Sequence, residues 1–328
     1  MNWLDDIHRR DQLLDWAEQG LLTPSQLQAA MAPERPHPAP RHWHSALDRL
    51  LAFYGSLLLA LGVIFFFAFN WDDLHRLHKL ALALAALTGF AGAALFLQSA
   101  SVLYRACLFG AALATGAMLA LVGQIYQTGA DIWQLFAGWA VLMLPWAGLS
   151  RSAAGWGLFW AVANLAVLRY FSFHHGWLGL PLTGVWVLLA LALWNLILLL
   201  TFELFARRLL LQPGRSMPRL AGFAMLSALT LGGCIGWWQG GYAVVFTALA
   251  LTYLIGIPLY LRLRRDLLML ALLLYSLVGV ATAGLARLFD ALGQVDNFLL
   301  FNLLGLFVLL TSAAASVWLH RLHREQGA

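Results

Sequence analysis

The sequence predicts an all-α fold: a polytopic transmembrane helix bundle of about ten spans, preceded by a small cytoplasmic helical hairpin. Hydrophobic residues make up 62% of the 328 residues and charged residues 11%, against roughly a quarter charged in soluble domains. From residue 50 onward, apolar runs recur at the length of about 20 residues that a helix needs to cross a bilayer. The basic residues are concentrated at the ends of these runs, as in the loops of a multipass protein.

Residues 1–32 predict the helical hairpin. Asp5 to Gln19 carries apolar residues on one face, and Gly20 ends this first helix. Thr23-Pro24-Ser25-Gln26 then begins a second helix, with threonine as the N-cap, proline at the first helical position and glutamine three residues after the cap. Acidic residues outnumber basic ones in this segment, which is the wrong sign for phosphate binding and excludes a nucleic-acid partner. Docking to a protein partner or to another part of the chain suits this hairpin better.

A proline-rich linker is predicted over residues 33–48, since Pro33, Pro36, Pro38 and Pro40 favour a semi-extended chain without a helix. Residues 49–328 then form the transmembrane domain. The predicted spans cover residues 51–69, 79–98, 102–122, 132–149, 153–171, 178–200, 219–237, 242–261, 267–286 and 298–319.

The distribution of basic residues predicts the orientation of the spans. If the N-terminus is cytoplasmic, sixteen of the 20 lysines and arginines fall in inside segments, and four fall outside: Arg76, Lys79, Arg169 and Arg287. The opposite orientation would violate the positive-inside rule. We therefore predict a bacterial inner-membrane protein with both termini in the cytoplasm and membrane lipids as its partners. The first span would act as an uncleaved signal anchor.

A polar strip from Gly123 to Gln134 closes the third span and opens the fourth, on the predicted outer side. The turn from Asn70 to Lys79 lies on the same side and is also rich in polar residues. Together these two segments predict an outward polar site made of Asn70, Asp72, Asp73, Gln124, Tyr126, Gln127, Thr128 and Asp131. The alternative is that these loop tips are polar only because they meet water.

Polar residues inside the spans are expected to pair, because an unpaired polar group in lipid is costly. Asn164, Asn195 and Asn302 are each expected to bond a neighbouring helix. Glu203 lies at the cytoplasmic end of the sixth span, and Arg207, one helical turn later, is its expected ion-pair partner.

Two further patterns predict how the spans pack and where they end. Small residues four apart favour close helix contacts, and they occur in the second span (Ala85, Gly89, Ala93) and the third (Ala106, Gly110, Ala114). These ridges predict packing within the bundle, and the alternative is an interface between copies of the chain. Tryptophans near span ends favour anchoring at the membrane surface, and these include Trp139, Trp146 and Trp156.

Catalytic and metal-binding patterns give no assignment. His75 and His78 lie three apart beside Asp72, which is the pattern nearest to a metal site, but no HExxH motif accompanies them. Cys107 and Cys234 lie in apolar spans and form no CxxC pair. The sequence carries no Walker A loop, GxSxG elbow or dinucleotide fingerprint in a usable context. We therefore predict no catalytic residue, no metal and no cofactor.

Several of these motifs together resemble a known family. They are Leu14-Asp15-Trp16 and Gly20-Leu21-Leu22 in the hairpin, Phe69-Asn70-Trp71-Asp72-Asp73 with Lys79-Leu80, the strip from Gly123 to Asp131, the run from Trp133 to Phe136, and Leu144-Pro145-Trp146. Over about residues 13–170 the chain resembles the uncharacterised bacterial membrane proteins grouped as domain of unknown function 2157 (DUF2157). The resemblance implies a multipass inner-membrane protein and implies no activity.

Three functional classes remain open from the sequence. The first is a non-enzymatic membrane protein that binds or passes a small polar solute at the outward polar site. The second is a scaffold or accessory subunit of an envelope complex, with residues 1–32 docking a protein partner or a second copy of the chain. The third is a membrane enzyme acting on an envelope or lipid-linked substrate through the outer carboxylates.

Overall fold

The computed structural model describes residues 12–17, 19–31, 40–69, 75–99, 101–126, 129, 131–173, 176–177, 180–181, 184–293 and 297–327. These residues are almost entirely helical, and the all-α fold predicted from the sequence is confirmed. A pair of two-residue antiparallel strands, β1 Gly176–Trp177 and β2 Leu180–Pro181, is the exception within this part of the chain.

Two short helices begin the described chain, α1 over residues 12–17 and α2 Pro24–Met31. The cap predicted for the second helix is present, because the Thr23 N–H donates to Gln26 Oε1 at 3.0 Å and the Gln26 N–H donates to Thr23 Oγ1 at 3.4 Å. The packing of the hairpin as a separate domain stays a prediction.

Ten long helices follow in the part of the chain that the structure describes: α3 Pro40–Phe69, α4 Arg76–Leu95, α5 Val102–Tyr126, α6 Ile132–Ser150, α7 Ala153–Phe173, α8 Gly184–Leu209, α9 Ser216–Gly236, α10 Ala243–Pro258, α11 Leu267–Leu292 and α12 Asn297–Gly327. Leu259–Leu263 continues α10 as one π-helical turn directly after Pro258. Because α3 begins at Pro40, residues 40–48 are helical and do not belong to an extended linker. Proline is tolerated there because the first turn of a helix needs no N–H donor.

Eight helices of the described chain are long and apolar enough to cross a membrane, and the polytopic bundle predicted from the sequence is confirmed. Helices α3 and α7 are not among the eight. The described apolar stretch of α3, Leu50–Leu59, is shorter than a span. Helix α7 carries Trp156, Asn164 and Arg169 among its apolar residues. The total of ten spans therefore stays a prediction.

Helices α5 and α9 lie at the centres of two groups of packed helices. Helix α5 contacts α3, α4, α6 and α7, while α9 contacts α7, α8, α10 and α11. Both central helices bury many alanines and glycines, which lets neighbouring backbones approach closely where lipid offers no hydrophobic drive for association. At Gly116 of α5, the Trp139 indole of α6 occupies the space that a Cβ would need. Helix α12 packs against α11 at the edge of the bundle.

The two predicted ridges of small residues have different environments. Ala106, Gly110 and Ala114 of α5 are buried, as expected of a packing ridge. Ala85, Gly89 and Ala93 of α4 are exposed, so the prediction that this ridge packs within the bundle is wrong for the described chain. Helix α4 instead buries its opposite side, with Lys79, Ala83 and Ala94.

Tryptophans predicted to anchor the span ends also bridge helices through their indole N–H groups. Trp139 donates to the Ala112 carbonyl at 2.8 Å, and Trp146 donates to Thr115 Oγ1 at 3.0 Å. Trp156, 8% exposed, donates to the Leu209 carbonyl at 2.9 Å. A buried indole needs such a partner, so these residues fix how α6 and α7 lie against their neighbours.

Candidate functional site

The predicted outward polar site is only partly described. Gln124, Tyr126 and Asp131 are exposed, at the end of α5 and the start of α6. Asp131 has extended backbone as the N-cap of α6, and its N–H donates to Gln134 Oε1 at 3.2 Å. The other five predicted site residues, Asn70, Asp72, Asp73, Gln127 and Thr128, lie outside the described residues. The structure therefore gives Asp131 a capping role, and the outward site itself stays a prediction.

His75 also serves a helix end. It is the N-cap of α4, and its Nδ1 accepts from the Leu77 N–H at 3.4 Å. The His75 and His78 ring centroids are 6.0 Å apart, edge to face. Within the described chain, no group of three histidine, cysteine or acidic side chains is arranged to hold a metal ion.

Two of the three asparagines in the spans bridge helices as predicted. Asn195 of α8, 1% exposed, donates to Asn164 Oδ1 of α7 at 2.6 Å and accepts from Trp160 Nε1 at 2.8 Å. Asn302 instead donates to the Phe298 carbonyl one turn earlier in α12, at 2.7 Å. The expectation of an interhelical bond is therefore wrong for Asn302, because its helix lies at the edge of the bundle.

The predicted ion pair of Glu203 with Arg207 is also wrong. Glu203 Oε1 accepts from Arg215 Nη2 at 2.8 Å, and Glu203 Oε2 lies 3.4 Å from Arg264 Nε. Both partners come from later helix junctions, since the side chain of Glu203 turns into the bundle and is only 10% exposed. The Arg207 carbonyl instead accepts a hydrogen bond from Arg151 Nη2 at 2.8 Å.

Asp266 is the most buried acidic group of this region, with a side chain 0% exposed. It pairs with Arg215 through Nε and Oδ2, and it accepts two hydrogen bonds of 3.1 Å from Arg219, one on each oxygen. As the N-cap of α11, Asp266 Oδ1 also accepts from the N–H groups of Leu268 at 3.1 Å and Met269 at 3.3 Å. Glu203, Arg215, Arg219, Arg264 and Asp266 form one connected set, which we name the arginine network.

The charges of the arginine network stabilise one another. Burial by itself would raise the pKa of the Asp266 carboxyl, but hydrogen bonds from Arg219, Arg215 and the Met269 N–H outweigh burial and lower it below its ordinary value. Burial likewise opposes the charge on Arg215, yet its bond to Asp266 and its attraction to Glu203 prevail and raise its pKa further. Asp266 and Arg215 therefore both stay charged at neutral pH.

The helix ends explain why these residues meet. The network joins the last turns of α8, the first turn of α9, the residues that follow the π-helical turn, and the N-cap of α11. An aspartate at the N-cap is favoured by the free N–H groups and by the helix dipole. The bond from Arg151 to Arg207 brings the junction of α6 and α7 to the same end of the bundle.

An apolar groove of about 710 Å³ begins at the arginine network and runs along the side of the bundle between α8 and α10. Its floor is formed by α9 and α11, through Met225, Leu229 and Leu273 among others. Its walls include Leu193, Leu200, Val244, Leu251 and Ile255, all of which are exposed on the bundle surface. The groove is therefore open toward lipid, and we name it the lateral groove.

Polar groups lie mainly at one end of the lateral groove. Glu203, Tyr260 and Arg264 line that end, whereas the rest of the lining is aliphatic apart from Thr252 and the sulfur of Met225 and Met269. The Tyr260 hydroxyl lies 3.5 Å from Glu203 Oε1 and donates to it. This arrangement can hold a molecule that is apolar along most of its length and polar at one tip. Carboxylates already engaged by arginines suit binding better than proton transfer.

The fold and the groove together define the class of this molecule: a polytopic helical membrane protein with a laterally open, apolar groove. Residues 14–156 match the model of the family described as "Predicted membrane protein (DUF2157)", and over these residues the chain is similar to that family. The resemblance found in the sequence is confirmed over these residues. The chain matches no curated protein and no solved structure. The lateral groove and the arginine network lie C-terminal to the matched residues.

Sequence reasoning missed Asp266 and the role of Arg264. The start of the span at residue 267 was predicted from its apolar run, but the role of Asp266 as its N-cap was not, although an aspartate before a long apolar run is a recognisable N-cap signal. The partners could not, because Arg215 and Arg219 are 51 and 47 residues away along the chain.

Proposed function

We propose that this chain is a non-enzymatic membrane protein that binds an amphipathic molecule in the lateral groove. The hydrocarbon chain of the ligand would lie between α8 and α10. Its polar end would lie against Glu203, Tyr260 and Arg264. The observation that carries this proposal is the asymmetry of the groove, whose lining is aliphatic along its length and charged at one tip.

The length of the groove supports a hydrocarbon chain as occupant. On α10 its lining runs from Val244 to Leu259, which corresponds to about 22 Å of helix. One leaflet of a bilayer contributes about half of a hydrocarbon core of about 30 Å. The groove is therefore long enough for a complete lipid chain that enters from the side.

The source of binding energy follows from the surroundings. Transfer of a hydrocarbon chain from lipid to an apolar groove gains little hydrophobic free energy, because lipid tails are as apolar as leucine. Packing against the groove wall contributes some affinity, and the polar tip must contribute the selectivity.

Orientation belongs to the same proposal. Seven arginines and two acidic residues lie in residues 203–208, 215–219 and 262–266, at one end of the bundle. The positive-inside rule favours the cytoplasmic side for this end, with the protein in a bacterial inner membrane and both termini in the cytoplasm. A reporter fused after Gln239 should then be extracytoplasmic, and a cytoplasmic signal there would contradict this orientation.

A matched pair of substitutions on α10 tests the groove. Ala248 lines it, whereas Ala250, two residues later, is exposed and outside the lining. In lipid nanodiscs, a phospholipid with a photoactivatable group in its acyl chain should label wild type and Ala250→Trp at α8 and α10. Ala248→Trp should lose this labelling because the indole fills the groove. Equal labelling of both variants would overturn the proposal.

The outward polar site remains a separate proposal for a small polar solute. Asp131 and Arg151 flank opposite ends of α6, so this site and the arginine network belong to opposite ends of the bundle. Binding of a protein partner or a second copy by residues 1–32 is likewise a proposal, and co-purification with and without that segment tests it.

A further inference from the structure

We propose that the lateral groove selects anionic phospholipids, and that Arg264 is the residue that binds the lipid phosphate. This inference rests on the proposed function, because it names the class of ligand that the groove holds. It follows from how the three guanidinium groups of the arginine network are engaged, and from the charge balance around them.

Arg264 is the least engaged arginine of the network. Arg219 makes two bonds of 3.1 Å to Asp266, and Arg215 bonds both Asp266 and Glu203. Within the described chain, Arg264 has only longer side-chain contacts, both with Glu203: 3.4 Å from Nε to Oε2 and 3.4 Å from Nη2 to the backbone carbonyl. Its side chain is 43% exposed, so a phosphate can reach it without breaking a short bond.

The position of Arg264 is nevertheless fixed. Its N–H donates to the Leu259 carbonyl at 2.9 Å, which closes the π-helical turn. The side chain lines the polar end of the groove together with Tyr260. A guanidinium group with free N–H donors suits two phosphate oxygens at once.

Glu203 does not prevent an anion from binding there. Its charge is already balanced by Arg215 at 2.8 Å, so a phosphate that takes Arg264 leaves Glu203 paired. The surrounding residues 203–208, 215–219 and 262–266 carry an excess of five positive charges, from seven arginines and two acids. Basic pockets between helices on the cytoplasmic side favour anionic headgroups.

A matched pair of arginines tests the assignment. Arg262 is exposed, two residues before Arg264, and does not line the groove, so Arg262→Ala and Arg264→Ala remove the same charge from the same segment. The probes are two photoactivatable phospholipids with identical acyl chains, one phosphatidylglycerol and one phosphatidylcholine, each added to nanodiscs with the full-length protein.

We expect phosphatidylglycerol to label wild type and Arg262→Ala more strongly than phosphatidylcholine does. In Arg264→Ala, the ratio of labelling by the two lipids should fall about fivefold. Arg264→Lys keeps the charge but loses the paired donors, so its preference should be intermediate. Equal losses in the two alanine variants would overturn the assignment in favour of diffuse attraction. A wild type without headgroup preference would overturn it as well.

Two controls separate the inference from the proposed function. Loss of all labelling in Ala248→Trp, combined with no headgroup preference in wild type, would keep the groove and reject the anionic ligand. Competition by inorganic phosphate that matches competition by unlabelled phosphatidylglycerol would show a free-anion site and reject the lipid. If Arg264→Ala melts at a lower temperature than wild type, the headgroup preference of Arg264→Lys tests the assignment instead, because lysine keeps the ion pair with Glu203.

Discussion

Asp266 is expected to be the acidic residue whose charge matters most to the stability of the second half of the bundle. Asp266→Asn is the sharpest perturbation, because it keeps the shape of the side chain and one oxygen for the N-cap of α11. It removes the charge between Arg215 and Arg219 and turns one acceptor into a donor. The Asp266 side chain is fully buried, so no water molecule can take the place of its carboxylate between the two guanidinium groups.

The magnitude follows from the contacts. Removing one member of a buried ion pair costs about 3–5 kcal/mol, but Arg215 and Arg219 have side chains 32% and 41% exposed. Water partly solvates these two guanidinium groups, and Glu203 still pairs with Arg215. The loss of charge-assisted bonds, each worth about 1.5 kcal/mol, then places the destabilisation near 3 kcal/mol. The melting midpoint should fall by about 5–10 °C.

The cysteines of the protein provide the assay. Cys107 lies in α5 and the half-buried Cys234 in α9, so a thiol-reactive fluorescent dye reports the melting of each group of helices in detergent. In a Cys107→Ser background, the dye would follow Cys234, in the group that contains Asp266. The melting curve of this background serves as the reference.

Asp290→Asn is the matched control. Asp290 pairs with Arg287 at the other end of the same helix, and the two side chains are 60% and 44% exposed. Exposed pairs of this kind contribute less than about 1 kcal/mol, so the midpoint should move by no more than about 3 °C. Equal shifts for Asp266→Asn and Asp290→Asn would refute the reasoning.

Three further predictions use the same melting assay. Asn195→Leu should lower the free energy of unfolding by about 1–2 kcal/mol, because the Asn164 amide and the Trp160 indole of α7 lose their partner. Asn302→Leu should change the free energy of unfolding little, and equal losses in the two variants would contradict the described bridge. Gly116→Ala should cost about 1–3 kcal/mol, since the new methyl enters the space of an indole; Gly123→Ala, with no atom within 4 Å, should be neutral or slightly stabilising. Folding lowers the pKa of Asp266, so its contribution to the free energy of unfolding is fully present at pH values above the ordinary pKa of 3.8. This contribution is lost as the pH falls through the lowered pKa. Wild type should therefore lose more stability than Asp266→Asn in the acid range, and parallel pH profiles would argue against it.

The class of fold and the helix positions were predictable because they depend on local sequence. Apolar runs of spanning length coincide with long helices from α3 to α12, and the cap at Thr23 was readable from four residues. Burial of the α5 ridge also followed from spacing alone. The same spacing in α4 misled, because a small-residue ridge does not tell which side of a helix faces its neighbours.

The candidate site was less predictable because it depends on pairs far apart in the chain. Glu203 has a base one turn away in Arg207, and local spacing favoured that pair. In the structure Glu203 instead forms ion pairs with Arg215 and Arg264, because its side chain turns into the bundle. The lateral groove is formed by four helices, and no segment of the sequence carries its shape.

The arginine network also has a consequence for the synthesis of the protein. Arg215 and Arg219 leave the ribosome about 50 residues before Asp266, which at 5–20 residues per second is an interval of roughly 2–10 seconds. During this interval Asp266 cannot neutralise either guanidinium, and the two arginines favour keeping their loop on one side of the membrane while α9 and α10 insert. We expect the same two arginines to orient a helical hairpin first and to fasten it to α11 only afterwards.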